Sequence, residues 1–391
     1  MNILFQHQSK TSETKGAMKM FLLSKGNLQP TQRPKGKIVF REQSKLKPAS
    51  LLHFNGAHII LGTSPKLVSQ VATLQVLSAE TFQAQACVEH AGAPHCLSPD
   101  ASKVLCSGKL YEGYAGEVRV VDTASWKCKH ILPLQKPFVW RDNKSFIACT
   151  PKKNAHFGDE FFSRTHKIKY FTDSALLNTF PLIETVAENE PALIGFNFET
   201  NLAEIVCDKP FADDGWTEAK HLELSRDGKK LYFATTTTVG ALELSTGKII
   251  WKKQLGVYDE AQLFSIYAFS LSPDGKHLAV GGMANNGKEF SLLNAKDGSV
   301  VYEENLSELL SQHGIAKSSS ISCFAWHPQG WLAIGFGNGC IAHLDAQFSL
   351  RTYQAGKSSV NAITFFHDGK TLFAASSDRT IRSFPLLEDE V

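Results

Sequence analysis

The densest grouping of side chains able to do chemistry lies in residues 151–167, PKKNAHFGDEFFSRTHK, which hold His156, Asp159, Glu160 and His166. Imidazole and carboxylate groups are ligands for a divalent metal. Their spacing here matches no arrangement with a mechanism, so the expectation is a solvated loop and no metal site. Eight cysteines are present, at 87, 96, 106, 128, 149, 207, 323 and 340, and none forms a CxxC pair. That argues against zinc or dithiol redox chemistry and for small, strand-borne hydrophobes. Free thiols suit a reducing compartment, so a cytoplasmic protein is expected. His90 and His95 flank one loop and are read as hydrogen-bonded structural residues. Gly335–Gly339 (GFGNG) looks like a phosphate-cradling loop, but Asn338-Gly339 is a tight hairpin signal between strands. No nucleophile elbow, HExxH, P-loop or dinucleotide fingerprint stands in a fitting context. No catalytic residue, no cofactor and no enzymatic activity are therefore expected.

The elements that would position any site come from an internal repeat. Leu271–Gly282, LSPDGKHLAVGG, reads as a strand, a turn and a second strand. Aligned on Asp274, equivalents stand at Asn55, Asp100, Asp142, Asp227, Gln329 and Asp368. Most are separated by about 40–45 residues, the period of a four-stranded propeller blade. Apolar residues before each anchor predict an inner strand buried on both faces. Pro, Asp or Asn, and Gly then supply the turn, and runs such as Leu-Ala-Val open the second strand. A third strand follows, as in Val118–Asp122, Gly240–Leu244 and Ile341–Asp345, and then an outer fourth, as in Ile249–Gln254 and Leu350–Gln354.

The last of these units, Ser359–Leu386 (SVNAITFFHDGKTLFAASSDRTIRSFPL), resembles the WD40 repeat almost position by position. The resemblance extends over roughly residues 46 to 391. It implies an all-β fold, a seven-bladed β-propeller with four-stranded antiparallel blades, eight blades being the alternative. Asp378 falls on the family's Asp between the second and third strands, which makes it and Asp122 turn formers. The family's Trp position reads Leu77, Val121, Leu242, Leu293, Leu344 and Phe384, and Gly356-Lys357 stands where Gly-His would. The family's His–Ser–Asp–Trp hydrogen-bonded set is thus absent, and apolar packing between sheets is expected to hold the blades.

The last repeat has three strands before Val391. A sheet left open would expose an edge. The N-terminal segment is expected to supply the missing strand, through Lys37–Arg41 or, failing that, Met18–Ser24. Residues 1–36 read as a basic, partly mobile arm and 37–391 as one propeller domain, with insertions near 151–167, 184–215 and 303–320. The long gap between Asp142 and Asp227 is read as follows. Lys167–Phe171 and Leu176–Ile183 complete blade three, and blade four begins near 184 with a long insertion or an extra hairpin. In the third insertion, Leu306, Leu309 and Leu310 stand at helical spacing behind a capping Asn305 or Ser307.

Residues 1–47 carry ten lysines and arginines against Glu13 and Glu42. A basic arm can touch nucleic acid or acidic lipid, but no arginine-rich or aromatic-interleaved pattern accompanies it. No apolar run is long enough to span a membrane. The resemblance implies a face where blade-joining loops and second-to-third strand turns converge. Tyr111, Tyr114, Arg141, Phe161, Phe162, Trp216 and Tyr258 are assigned to it, aromatics and arginine being the usual interface anchors. The function that follows is a non-catalytic scaffold binding a protein or peptide, as one subunit of a complex. The alternatives are a propeller enzyme or small-ligand binder using a central channel, and nucleic-acid contact through the basic arm.

Overall fold

The computed structural model describes residues 36–41, 47–54, 57–64, 73–88, 91–109, 116–132, 134–149, 193–200, 202–207, 219–256, 264–284, 289–312, 315, 320–344 and 350–386. Their strands form seven four-stranded antiparallel sheets, the blades of a β-propeller. The chain divides into two compact units, Phe40–Tyr258 and, together with the chain up to Val39, Asp259–Val391.

The segment β1 (Lys37–Arg41) is the outer strand of the last blade, as expected of the first of the two N-terminal candidates. Met18–Ser24 lies outside the described residues. In the Phe40–Tyr258 unit, blade one is β2 (Lys47–Phe54), β3 (His58–Ser64), β4 (Leu74–Ser78) and β5 (Ala84–Val88). Blade two is β6 (Ala93–Leu97), β7 (Lys103–Lys109), β8 (Gly116–Asp122) and β9 (Lys127–Leu132). Blade three is β10 (Gln135–Trp140), β11 (Ser145–Cys149), β12 (Leu193–Asn197) and β13 (Leu202–Cys207), and blade four is β14 (His221–Leu224), β15 (Lys230–Ala234), β16 (Thr238–Glu243) and β17 (Ile249–Gln254).

The gap between Asp142 and Asp227 is therefore resolved differently from the expectation. Leu193–Asn197 and Leu202–Cys207 are the third and fourth strands of blade three, not an extra hairpin of blade four. Phe146 pairs with Phe196, and Phe196 with Ala203. The expected strands Lys167–Phe171 and Leu176–Ile183 lie outside the described residues, in the connection from β11 to β12.

In the other unit, blade five is β18 (Phe264–Leu271), β19 (His277–Ala284), β20 (Phe290–Asn294) and β21 (Val300–Glu304). Helix α1 (Leu306–Gln312) follows. Blade six is β22 (Ile321–Trp326), β23 (Leu332–Phe336), β24 (Cys340–Leu344) and β25 (Leu350–Gln354). Blade seven is β26 (Val360–Phe365), β27 (Thr371–Ser376) and β28 (Thr380–Pro385), completed by β1. Asn305 caps α1 by accepting the Glu308 N–H at 3.0 Å. The carboxylate of the buried Glu289 accepts the Ser307 N–H. Leu306, Leu309 and Leu310 turn inward against blades five and six.

Apolar layers between successive sheets form the core of each unit. The residues standing at the family's Trp position, Leu77, Val121, Leu242, Leu293, Leu344 and Phe384, are all buried. The fully buried strands are second and third ones, such as β11, β23 and β24. The inner strands β14 and β22 are buried only in part. That corrects the expectation of inner strands buried on both faces: most of their residues keep partial exposure.

The anchor turns show why the repeat keeps its short polar residues. Ser98, Ser225 and Ser272 donate to Asp100, Asp227 and Asp274 at 2.6–2.7 Å. The same carboxylates accept the N–H two residues on, from Ser102, Lys229 and Lys276. These bonds hold all three carboxyls below the usual range, Asp100 at about 2 through Ser98 and then Ser102. For Asp274, burial is the largest influence and pushes upward, but the Ser272 and Lys276 bonds together outweigh it. Gly228, Gly275 and Gly369 follow at φ of 67–70°, where glycine carries no Cβ penalty. In blade two the position is Ala101, at φ 57°. Ala101→Gly is expected to raise stability by about 0.5–1 kcal/mol, left-handed strain outweighing the added chain entropy. Urea unfolding measures it, and a lower midpoint would contradict this reading of the turn.

Candidate functional site

The inner strands carry a recurring irregularity. Most contain one residue more than the second strand they pair with, close to the end where the chain enters the blade. Ala49 is the extra residue between the Pro48–Thr63 and Ser50–Gly62 pairs, and His95 between Pro94–Cys106 and Cys96–Leu105. Lys136 and Pro137 are extra between Gln135–Cys149 and Phe138–Ala148. In the other unit Tyr267, Ser322 and Asn361 are extra on β18, β22 and β26. Only β14 pairs without a shift, and it starts at His221. A bulge of this kind bends the strand and re-aims the side chain it displaces.

The displaced residues differ from blade to blade. Tyr267 is 45% exposed. Ser322 Oγ donates to Gly335 O at 3.0 Å and to Val360 O at 2.5 Å, tying β22 to β26. Asn361 Oδ1 accepts from Ser377 Oγ at 2.9 Å.

In the Phe40–Tyr258 unit, β6, β10 and β14 run side by side and bring titratable groups together. His95 is exposed in area, and its Nε2 lies 2.8 Å from Ser107 Oγ. Its ring meets Phe138 edge-on at 4.8 Å. Crowding by protein nevertheless removes most of its hydration, and with the charges of Lys136 and His221 this lowers its pKa to about 3. His221 falls to about 4, first through burial and then through Lys136 and Lys220. Burial raises Glu223 to about 7, and it pushes Cys96 up to about 12, with the Glu223 charge adding to it. A thiol held that high is a poor nucleophile. The eight cysteines all stand in strands and none is in a disulfide.

Glu223 makes a measurable prediction. Its folded pKa lies above the ordinary 4.5, so the neutral carboxyl is the form the fold favours. The stability tied to it is complete below about pH 4.5 and lost as pH rises through about 7. Glu223→Gln mimics the neutral form. It is expected to exceed the parent by about 2 kcal/mol at pH 8 and to match it at pH 4.5. Equal stability at both values in urea unfolding would contradict the burial of this carboxyl.

Of the residues assigned from sequence, only Arg141 lies among those described. It stands in the β10–β11 turn, at the opposite end of its blade from the β11–β12 connection, and pairs with Glu204 at 2.5 Å. It is thus not on the face where the blade-joining loops arise, as the assignment had it. Tyr111, Tyr114, Phe161, Phe162, Trp216 and Tyr258 lie outside the described residues, as do His156, Asp159, Glu160 and His166. Among the described residues no group of three or more His, Cys, Asp or Glu is placed to hold a metal. No helix there is long and apolar enough to cross a membrane.

In blade seven the turn between β27 and β28 is a polar network. Asp378 Oδ1 accepts the Thr380 N–H at 3.1 Å and its hydroxyl at 2.5 Å. Arg382 donates to Asp378 Oδ2 at 2.9 Å, to Thr380 Oγ1 at 2.7 Å and to Ala355 O. Ala355 lies in the loop that joins blades six and seven, so the guanidinium pins that loop to the turn. Residues 347–384 match the WD40 family, described as WD domain, G-beta repeat. Together with the seven four-stranded sheets, that match supports a WD40-like β-propeller family. The chain is a WD40-like β-propeller. A comparison with curated proteins finds no match. In this propeller Arg382 bridges the turn and the blade-joining loop, so apolar packing is not the whole account of blade seven. Asp122 is likewise a turn former, accepting from Ser125 N–H and Oγ at 2.7 and 2.6 Å.

Proposed function

We propose that this propeller is a non-catalytic scaffold that binds a protein or peptide at the end of its blades where the joining loops arise. WD40 propellers commonly mediate protein–protein interaction. One observation supports that role here: the contrast between repeated and unrepeated positions. The buried framework repeats the same apolar type in blade after blade, because each blade solves the same packing problem. The bulged positions hold Ala49, His95, Lys136 with Pro137, Tyr267, Ser322 and Asn361, dissimilar residues at equivalent places. Packing would select similar residues there. Recognition of one irregular partner selects dissimilar ones. Eight strand-borne cysteines with none in a disulfide favour a reducing compartment, and a cytoplasmic location is part of the proposal.

The test uses three variants of the full-length protein. Tyr267→Ser and the pair Phe161→Ser/Phe162→Ser are expected to lose a stoichiometric partner recovered from native cells. Arg141→Ala, at the other end of its blade, is expected to keep it. Retention by the first two variants, or loss through Arg141→Ala alone, would move the binding surface elsewhere.

A further inference from the structure

In five anchor turns, those of blades two, three, four, five and seven, an aspartate carboxylate accepts the N–H two residues on: Asp100, Asp142, Asp227, Asp274 and Asp368. Blade six has Gln329 in that place. Its accepting atom comes from His327 instead, whose Nδ1 receives the Gln329 N–H at 3.1 Å. An accepting ring nitrogen carries no proton, so Nε2 holds it. Nε2 donates to Gly369 O, in the anchor turn of blade seven, at 3.1 Å. These two bonds fix one neutral tautomer across the seam between the blades. The ring is 2% exposed. It stacks on Trp331 with centroids 4.2 Å apart and meets Phe365 edge-on at 5.0 Å. Gly369 lets it in: an added Cβ there would run into Nε2, whereas at the equivalent Gly228 and Gly275 it would meet nothing within 4 Å. The buried Trp331 Nε1–H finds no acceptor among the described residues, so closing the seam costs that donor its water.

We propose that His327 is an acid-sensitive latch, which holds the anchor turns of blades six and seven together when neutral and releases them when protonated. A proton on Nδ1 removes the acceptor for Gln329 and places a charge in an apolar seam. Attraction of an imidazolium to the indole face works the other way, as does the Gly369 carbonyl. Burial is the larger influence and lowers the His327 pKa below its ordinary 6.5. The stability tied to the ring is therefore complete well above pH 6.5 and lost as pH falls below it, where the released ring takes up a proton. His343 of β24 lies on the other side of Trp331, with 5.7 Å between ring centroids, and Arg351 of β25 stands opposite it in register. His367, Asp368 and Lys370 flank Gly369 and are exposed, so water screens them. The aspartate turns respond differently: Asp100, Asp227 and Asp274 are held below 3.8 and go on accepting in mild acid. The latch thus loosens in acid the blade that β1 completes. The inference goes beyond the scaffold reading and does not rest on it.

The experiment is hydrogen exchange of the full-length protein at pH 7.5 and pH 5.5, each rate corrected for the intrinsic effect of pH on exchange. Protection of residues 327–332 and 366–371 is expected to fall about tenfold between the two, the limit for one histidine that only the open form protonates. The blade-five turn, residues 272–277, is expected to keep its protection. His327→Asn retains an acceptor for Gln329 in its Oδ1 and has nothing to titrate. It is expected to lower protection of both turns at pH 7.5, through loss of the Gly369 bond, and to abolish the pH dependence. The same variant separates His327 from His343 and His367, which it leaves in place. In the parent, the His327 ring resonance is expected to stay at the neutral position for as long as both turns are protected. Unchanged protection at pH 5.5, or a ring that protonates while both turns remain protected, would overturn the latch without need of a variant. A pH dependence that survives in His327→Asn would overturn it as well.

Discussion

Phe384→Ala is expected to destabilise the protein by about 3–5 kcal/mol, the range for emptying a core aromatic position. The ring is 1% exposed and stands edge-on to Tyr353, with centroids 5.4 Å apart. It also lies over Gly36, where an added Cβ would come within 2.5 Å of two ring carbons. Gly36 immediately precedes β1, so the ring that replaces the family's tryptophan is also the seat of the closing strand. Two consequences separate this account from simple loss of core volume. Gly36→Val is expected to cost about 1–3 kcal/mol by overpacking, and much less in a Phe384→Leu background, where the ring is gone. Non-additivity of that kind marks residues in contact. Amides of β28 are expected to exchange faster in Gly36→Val, because displacing β1 bares that edge. Additive costs with unchanged β28 protection would mean that the strand is seated by something else.

Arg382→Met is expected to cost about 2 kcal/mol at neutral pH. Breaking a fully buried ion pair costs about 3–5 kcal/mol, but the Arg382 and Asp378 side chains keep 13% and 25% of their exposure, and water screens part of the loss. The guanidinium binds Asp378, Thr380 and the carbonyl of Ala355, so its removal frees both the turn and the blade-joining loop. Burial pushes the Asp378 carboxyl upward, but the bonds from Thr380 and Arg382 together hold it below the ordinary 3.8. A depressed carboxyl contributes stability that is present above its unfolded pKa and lost as pH falls through its folded one. The gap between parent and Arg382→Met should accordingly be full at pH 7 and shrink below about pH 3.8. A gap independent of pH down to 2 would show that Arg382 acts through packing alone. Asp378→Ala combined with Arg382→Met should cost less than the two summed, since the second change no longer strands a charge.

The architecture was legible because blade framework positions obey local rules. Ser-Pro-Asp-Gly and its variants need the same turn each time, and the second strand after it is always apolar. The closing strand was legible for a physical reason too: three strands at one end of the chain leave an edge, and Lys37–Arg41 had the pattern to cover it. Blade three was misjudged because an apolar run does not say which run it pairs with. Lys167–Phe171 and Leu176–Ile183 resemble strands more strongly than Leu193–Asn197, which carries Gly195. Yet Gly195 pairs with Ile147 and Glu204 in the middle of the sheet.

The inner-strand bulges were missed for a related reason. An extra residue in a short strand changes the alternation of side chains by one place, and local pattern cannot separate that from a loop beginning early. One signal was present. His95, Lys136, Tyr267, Ser322 and Asn361 interrupt otherwise apolar strands, each five to seven residues before its turn anchor. Compared across repeats, a polar or aromatic interruption at one place is a displaced side chain, not a packing error. His95 reads from sequence as a hydrogen-bonded structural histidine, and its Nε2 does lie 2.8 Å from Ser107 Oγ.

The central claim is that this propeller works by holding another polypeptide. Full-length protein purified from its native cells, weighed by light scattering and scanned for absorbance and metals, tests that most directly. A complex with a second polypeptide at fixed stoichiometry, and no chromophore or metal in proportion to the protein, is the predicted result. A monomer carrying a stoichiometric cofactor or metal would contradict the scaffold reading and make the protein a propeller enzyme or small-ligand carrier.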